Sequence, residues 1–180
     1  MYIILSFSLL VVVYVIIAYN RFVRQSFLVD EAWSGIDVQL KRRYDLVPSL
    51  IEIVKGYALH EQQTLQAVVD ARNQAVSDSS QEGGVGSPQL VHNLKQLLVL
   101  SEAYPELRAD ENFRKLHGTL VEIEDELQYA RRYYNGTVRD FNMAVLTFPN
   151  NLFASLFGFL KKDFFEVEFA TERKNPDVSF

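Results

Sequence analysis

FRKLHGTLVEIEDELQYARRYYNGTVRDFNMAVLTFP, residues 113–149, carries the pattern that decides the fold. Phe113, Leu116, Leu120, Ile123, Leu127, Ala130 and Tyr134 recur at alternating steps of three and four. Val138, Phe141, Val145 and Phe148 resume the series after one extra step of four. At 3.6 residues per turn, such spacing collects these side chains on one stripe of an α-helix. The stripe reads as a heptad seam with a single stutter, closed by Pro149. A helix of that length runs for more than ~50 Å, so only partners of similar length can cover it. Gly118 and Gly136 lie inside it, where each costs about 1 kcal/mol relative to alanine, and close approach of a neighbouring helix is the expected reason for both.

Upstream, Val29, Trp33, Ile36, Leu40, Tyr44 and Val47 form another helical stripe, which Pro48 is expected to kink or end, since proline has no amide proton for the preceding turn. A second stripe follows through Ile51, Val54, Ala58, Leu65, Val68 and Ala75, and residues 78–87 read as a flexible loop rich in Ser and Gly. Pro88 suits the first turn of a further helix with Leu90, Leu94 and Leu97 on one face, reaching about Tyr104. The expected fold is therefore all-α, an elongated antiparallel bundle of about four long helices over residues 20–149.

Residues 1–19 contain no charged side chain. Tyr2 to Tyr19 is an apolar run broken only by Ser6 and Ser8, and as a helix it spans roughly 27 Å, close to the core of a bilayer. Neither a leading basic region nor a small-x-small cleavage site accompanies it, so a transmembrane helix is expected rather than a signal peptide. Arg21 and Arg24 follow directly. The positive-inside bias then places the soluble domain in the cytoplasm of a bacterial cell and the N-terminus outside the inner membrane.

All 18 Lys and Arg and all 23 Asp and Glu fall after residue 19, with a net charge of −5, which disfavours nucleic acid as a partner. Cysteine is absent, which excludes disulfides, thiolate nucleophiles and zinc–thiolate sites. His60 and Glu61 begin a would-be zinc helix, but Thr64 stands where the second histidine belongs. The residues three before His60, His92 and His117 are Tyr57, Gln89 and Arg114, so di-iron pairs are missing too. Gly83, Gly84 and Gly86 lack a phosphate loop's lysine, and Ser34 stands outside any G-x-S-x-G turn. Asn135-Gly136-Thr137 is a formal glycosylation sequon buried in a helix pattern. Trp33, Tyr133 and Tyr134 read as core aromatics, and the histidines as surface or satisfied bundle residues. No catalytic set, metal site or cofactor is expected, and the protein reads as a non-enzyme.

Charges beside the seams stand out instead. Asp37, Lys41 and Asp45 form a ladder at i, i+4 and i+8. Arg42, Arg43, Glu61 and Arg72 lie on or next to apolar stripes, where an unpaired charge is costly, so partners are expected within the bundle or on another subunit. Nine of the 13 phenylalanines follow residue 140. In the Phe-rich tail, residues 150–180, Leu152, Phe153, Leu156, Phe157 and Leu160 read as one helical face followed by Lys161 and Lys162. Three roles compete for it: capping the bundle, contacting a subunit, or lying on the membrane surface.

The blocks AWS, IDVQLKRR, DLVPSL, VKGYALHE and ARNQA, in this order between Ala32 and Ala75, together with YARRYYNGTVRDFNMAVLTF at 129–148, resemble the signature of the LemA family. The resemblance implies a single-pass bacterial membrane protein with a long helical bundle and no established catalytic activity. It makes a self-associating scaffold that organises or shapes membrane plausible, the alternative being a sensory or adaptor subunit that binds another envelope protein. The implied partners are the lipid bilayer, further copies of the chain and other envelope proteins.

Overall fold

The computed structural model describes residues 1–58, 60–79 and 87–165, and every regular element among them is a helix. In chain order these are α1 (Tyr2–Tyr57), α2 (Gln62–Ser79), α3 (Pro88–Glu102), α4 (Pro105–Ala109), α5 (Glu111–Leu146) and α6 (Asn150–Leu156). Of the expected loop at 78–87, the first two residues extend α2 and Ser87 caps α3, while 80–86 lie outside the described residues.

The first break in the chain is not at Pro48. α1 passes through the proline and ends at Tyr57, and α2 begins at Gln62, so the break falls inside what reads from the sequence as a single second stripe. Proline at 48 strips the Tyr44 carbonyl of its helical donor. Arg72 Nε of α2 donates to that carbonyl at 3.4 Å, giving the freed acceptor a partner from outside the helix. The later helices begin on local chemistry. Leu90 N–H donates to Ser87 Oγ at 3.3 Å with Pro88 in the first turn, Pro105 opens the short α4, and Phe113 N–H donates to Asp110 Oδ1 at 2.9 Å ahead of α5.

Along α5, Phe113, Leu120, Ile123, Leu127, Val138, Phe141 and Val145 are buried, so the seam is real. Phe148 is not part of it: α5 stops at Leu146, and Phe148 is 76% exposed. Tyr133 also departs from expectation, being exposed rather than core. The close-approach account of the glycines fails as well. A Cβ placed on Gly118 or Gly136 would meet nothing within 4 Å among the described residues.

The chain forms two compact units, to which α1 and α5 both contribute. One comprises Trp33–Ala130. Its core takes Ile36, Leu40, Val47 and Val54 from α1, Leu65 and Val68 from α2, Leu90, Leu94 and Leu97 from α3, Leu107 from α4, and Phe113 to Leu127 from the α5 seam. Polar ties fix its register. Arg43 Nη1 donates to Glu124 Oε1 at 2.9 Å; fourteen residues on along α1 and fourteen back, at the residue just before α5, Tyr57 O–H donates to Asp110 at 3.0 Å, so α1 and α5 run antiparallel. Asn93 of α3 donates to the Ala67 carbonyl of α2 at 2.9 Å. The other unit joins residues 1–32 to the described residues from 131 onward. Ala18, Phe22 and Val29 of α1 meet Val138, Phe141, Ala144 and Val145 of α5 and Ala154 of α6, with Tyr14, Tyr134, Phe153 and Phe159 packed around them.

Candidate functional site

Within Trp33–Ala130, the charges flagged on the sequence part company. Asp37, Lys41, Arg42 and Asp45 are exposed, and no ion pair among the described residues joins the ladder. Arg42 donates instead to Gln39 at 3.1 Å, and partial desolvation holds the Asp37 carboxyl above its ordinary value. Arg43 is fully buried. Its pair with Glu124 is lopsided, with 1% of the arginine side chain exposed against 37% of the glutamate. Arg43 Nε and Nη2, and the neighbouring Tyr44 hydroxyl, are buried with no hydrogen-bond partner among the described residues. Burial pushes the Tyr44 phenol up, and the adjacent guanidinium opposes the shift. Arg72 closes the helix at Pro48 and also reaches Asn73 at 3.2 Å. Glu61 is not on a seam: α1 has ended before it, so the stripe's register does not carry through, and its carboxylate accepts from Tyr104 O–H at 3.3 Å.

In the unit formed by 1–32 and 131–165, α6 is fastened to α1. Tyr14 O–H donates to Asn150 Oδ1 at 2.7 Å, and the Tyr14 ring meets Phe153 at 5.8 Å between centroids. Tyr19 meets Phe157 at 5.1 Å and Phe159 at 5.9 Å, and Phe22 meets Phe159 at 5.2 Å. The five apolar residues expected on one helical face are therefore divided. α6 ends at Leu156, and Gly158, at φ 75°, turns the chain back, with Gly158 N–H donating to the Ser155 carbonyl and Phe159 N–H to the Ala154 carbonyl. Phe153 is half-buried, while Leu152, Leu156 and Leu160 stand exposed on the outside.

Beyond that turn, two asparagines of α5, a heptad apart, clamp the extended chain by its backbone. Asn142 donates to the Lys162 carbonyl at 2.8 Å and accepts the Lys162 N–H at 2.9 Å; Asn135 does the same to Phe165 at 3.1 and 2.7 Å. Lys162 Nζ reaches Asp30 at 2.6 Å, and Lys161 is exposed. Phe169 and the rest of 166–180 lie outside the described residues.

Asp110, Asn135, Asn142 and Gly158 carry no expectation from the sequence. Asp110 was detectable, since Asp three residues before the first seam position is an N-cap spacing, and Gly158 follows an apolar helical run as a C-terminal turn residue does. The asparagine clamps had no local signal, because what they hold is backbone from a distant segment.

No cluster of three or more His, Asp or Glu that would hold a metal occurs among the described residues. His60, His92 and His117 are all exposed, His60 between α1 and α2, His92 on α3 and His117 on α5. Two open grooves of about 290 and 330 Å³ share Lys55 and Val69; their other polar linings, among them Glu52, Arg72, Asn73, Gln62 and Gln66, assemble no nucleophile with a base.

Among the described residues one helix is long and apolar enough to cross a membrane, and it continues into helical packing clamped by polar contacts, which defines an all-α bundle protein with a candidate membrane span. Residues 32–180 match the LemA family, and the chain belongs to it. It is similar to magnetosome protein MamQ 2 of Paramagnetospirillum magneticum, 23% identical over 176 residues covering 82% of this chain and 64% of that protein. Magnetosome protein MamQ of Magnetospirillum gryphiswaldense is 21% identical over 174 residues with the same coverage. Protein LemA of Metamycoplasma hominis is 24% identical over 162 residues, covering 89% of this chain and 74% of that protein. The chain thus spans about 64% of the length of the magnetosome relatives.

Proposed function

We propose that this chain is a non-enzymatic, single-pass scaffold of the bacterial inner membrane, with its helical bundle on the cytoplasmic side and its copies associating laterally. The observation that carries the reading is the continuity of α1. The same helix supplies the uncharged run Tyr2 to Tyr19 and, through Ala18, Phe22 and Val29, a wall of the first packed core. Copies anchored by such a helix share one plane, and partners confined to a plane lose less freedom on meeting than partners in solution. Modest polar contacts then suffice, and exposed Asp37, Lys41, Arg42 and Asp45 offer them. Arg21 and Arg24 at the end of the run support the cytoplasmic orientation. Similarity to proteins named for the magnetosome favours a role in organising a cellular structure.

The test is the mass of the full-length protein in nanodiscs or detergent across a range of concentrations. A discrete homo-oligomer, weakened by charge reversal at Lys41 or Arg42, is expected. A single copy throughout, purifying with a different envelope protein, overturns the scaffold in favour of an adaptor.

A further inference from the structure

The contacts that fasten α6 to α1 also fix its height along the helix, and that height is the end of the apolar run. Asn150 and Phe153 meet Tyr14, five residues before Tyr19, or about 7.5 Å back along the axis. Phe157 and Phe159 meet Tyr19 and Phe22. On the inner side of this segment Ala154 is at 0% exposure. The outer side is not: Phe148 is 76% exposed, Leu152 60%, Leu156 76% and Leu160 78%. Met143 and Leu146, in the last turn of α5, continue the same apolar exposure at 60% and 57%. Exposed apolar side chains in this number, beside the apolar run of α1, call for a covering.

The neighbouring charges say which covering it is. Arg21 and Arg24 follow the apolar run directly and are exposed, and Lys161 is exposed a few residues after the turn at Gly158. Tyr14 and Tyr19 lie in the last part of the apolar run, next to these cations, with the Tyr14 ring on Phe153 and its hydroxyl on Asn150, and the Tyr19 ring on Phe157 and Phe159. Aromatic rings with polar tips, then cations, is the order found on passing from acyl chains to headgroups. An amphipathic segment in that position settles some 5–10 Å into the headgroup–acyl boundary.

We propose that residues 148–160 form an interfacial wedge, inserting Phe148, Leu152, Leu156 and Leu160 into the lipid leaflet beside α1 while Arg21, Arg24 and Lys161 meet the headgroup phosphates. The wedge rests on the reading that Tyr2 to Tyr19 crosses the bilayer. It widens the protein's footprint in one leaflet only. A rigid inclusion of that kind biases the leaflet's curvature, which gives the scaffold a physical handle on membrane shape.

The chain contains no cysteine, so single cysteines can be introduced and spin-labelled without background. Leu156→Cys and Leu160→Cys, with Val11→Cys in the apolar run and Gln128→Cys on the exposed face of α5, would be reconstituted as full-length protein in vesicles of phosphatidylcholine and phosphatidylglycerol at three to one. Relaxation by oxygen and by a water-soluble nickel chelate reads the surroundings of each label. The expected result is an oxygen-to-nickel accessibility ratio severalfold higher at Leu156→Cys and Leu160→Cys than at Gln128→Cys, and highest at Val11→Cys. Nickel accessibility at 156 and 160 equal to that at 128, with Val11→Cys still lipid-embedded, overturns the wedge and leaves the spanning helix standing. Labels at 156 and 160 shielded from both relaxers overturn it too, because protein from a second copy then covers the face. A water-exposed Val11→Cys removes the spanning helix itself, and the wedge with it.

Discussion

Arg43 gives up nearly all of its hydration, whereas Glu124 keeps a substantial part of its own, with 1% and 37% of the two side chains exposed. Removing one partner is therefore not equivalent to removing the other. Glu124→Ala leaves a buried guanidinium with no counter-charge and should cost about 3–5 kcal/mol. Arg43→Met fills the same space with an apolar chain, removes two buried N–H groups that lack partners, and leaves a carboxylate that water can still reach, so it should stay within about 1 kcal/mol of the parent. Chemical denaturation of the detergent-solubilised protein separates the two, and equal losses would refute the asymmetry. A pH effect belongs to Asp110. The Phe113 amide and the Tyr57 hydroxyl both donate to its carboxylate and hold its pKa below the ordinary aspartate value. A depressed folded-state pKa gives stability that is complete above about pH 4 and disappears as the pH falls through the lower, folded value. Asp110→Asn keeps an acceptor for the helix amide but cannot titrate, so its melting temperature should fall less steeply than the parent's on acidification below pH 4. Parallel curves would show that other carboxylates govern the acid transition.

At the scale of the helices, Pro48 and Arg72 behave as one device. If the guanidinium serves the carbonyl that the proline deprives, Arg72→Met should cost about 1 kcal/mol in the parent and much less beside Pro48→Ala, because alanine restores the helix's own donor. Additive losses in that double-mutant cycle would sever the link. The glycines give a contrast of sign. Gly118→Ala adds a methyl where nothing lies within 4 Å and should stabilise by up to about 1 kcal/mol, while Gly158→Ala forces a side chain into positive φ and should destabilise by about 1–2 kcal/mol. Thermal melts of both variants decide it. The α5 seam was legible in the sequence because periodicity is a property of the helix alone, and so was the apolar helix at 2–19, which needs only length and composition. The LemA signature carried the family. Phe148 was misassigned because a helix end interrupts a pattern that the letters continue, and Pro48 because its remedy comes from α2, twenty-four residues away. Glu124 as the partner of Arg43, and the asparagine clamps on Lys162 and Phe165, depend on contacts between distant segments that no local spacing announces.

Over the whole molecule, the apolar run at residues 1–19 is not a detachable tether. A transmembrane helix read from composition alone invites deletion of residues 1–19 to obtain a soluble bundle, and the sequence leads one to expect a folded domain to remain. Yet Tyr14, Ala18 and Tyr19 are the surface on which α6 and the following turn are built. Deleting them strips Phe153 and Phe157 of their ring partners, leaves Phe159 only Phe22, and takes Ala18 from the core around Ala154. The core of Trp33–Ala130, drawn from Ile36 onward, loses nothing by the same cut. A chain lacking residues 1–13 retains Tyr14, Ala18, Tyr19 and Phe22. Hydrogen exchange on the two truncations should therefore diverge in one place: amides of 150–165 protected when the chain begins at Tyr14, exchanging rapidly when it begins at Asn20, and amides of 36–54 protected in both. Equal protection of 150–165 in the two chains would mean that the α5 clamps, Asn135 and Asn142, hold that segment by themselves. The anchor would then be a tether after all, and the height of α6 would no longer follow from its contacts with Tyr14 and Tyr19.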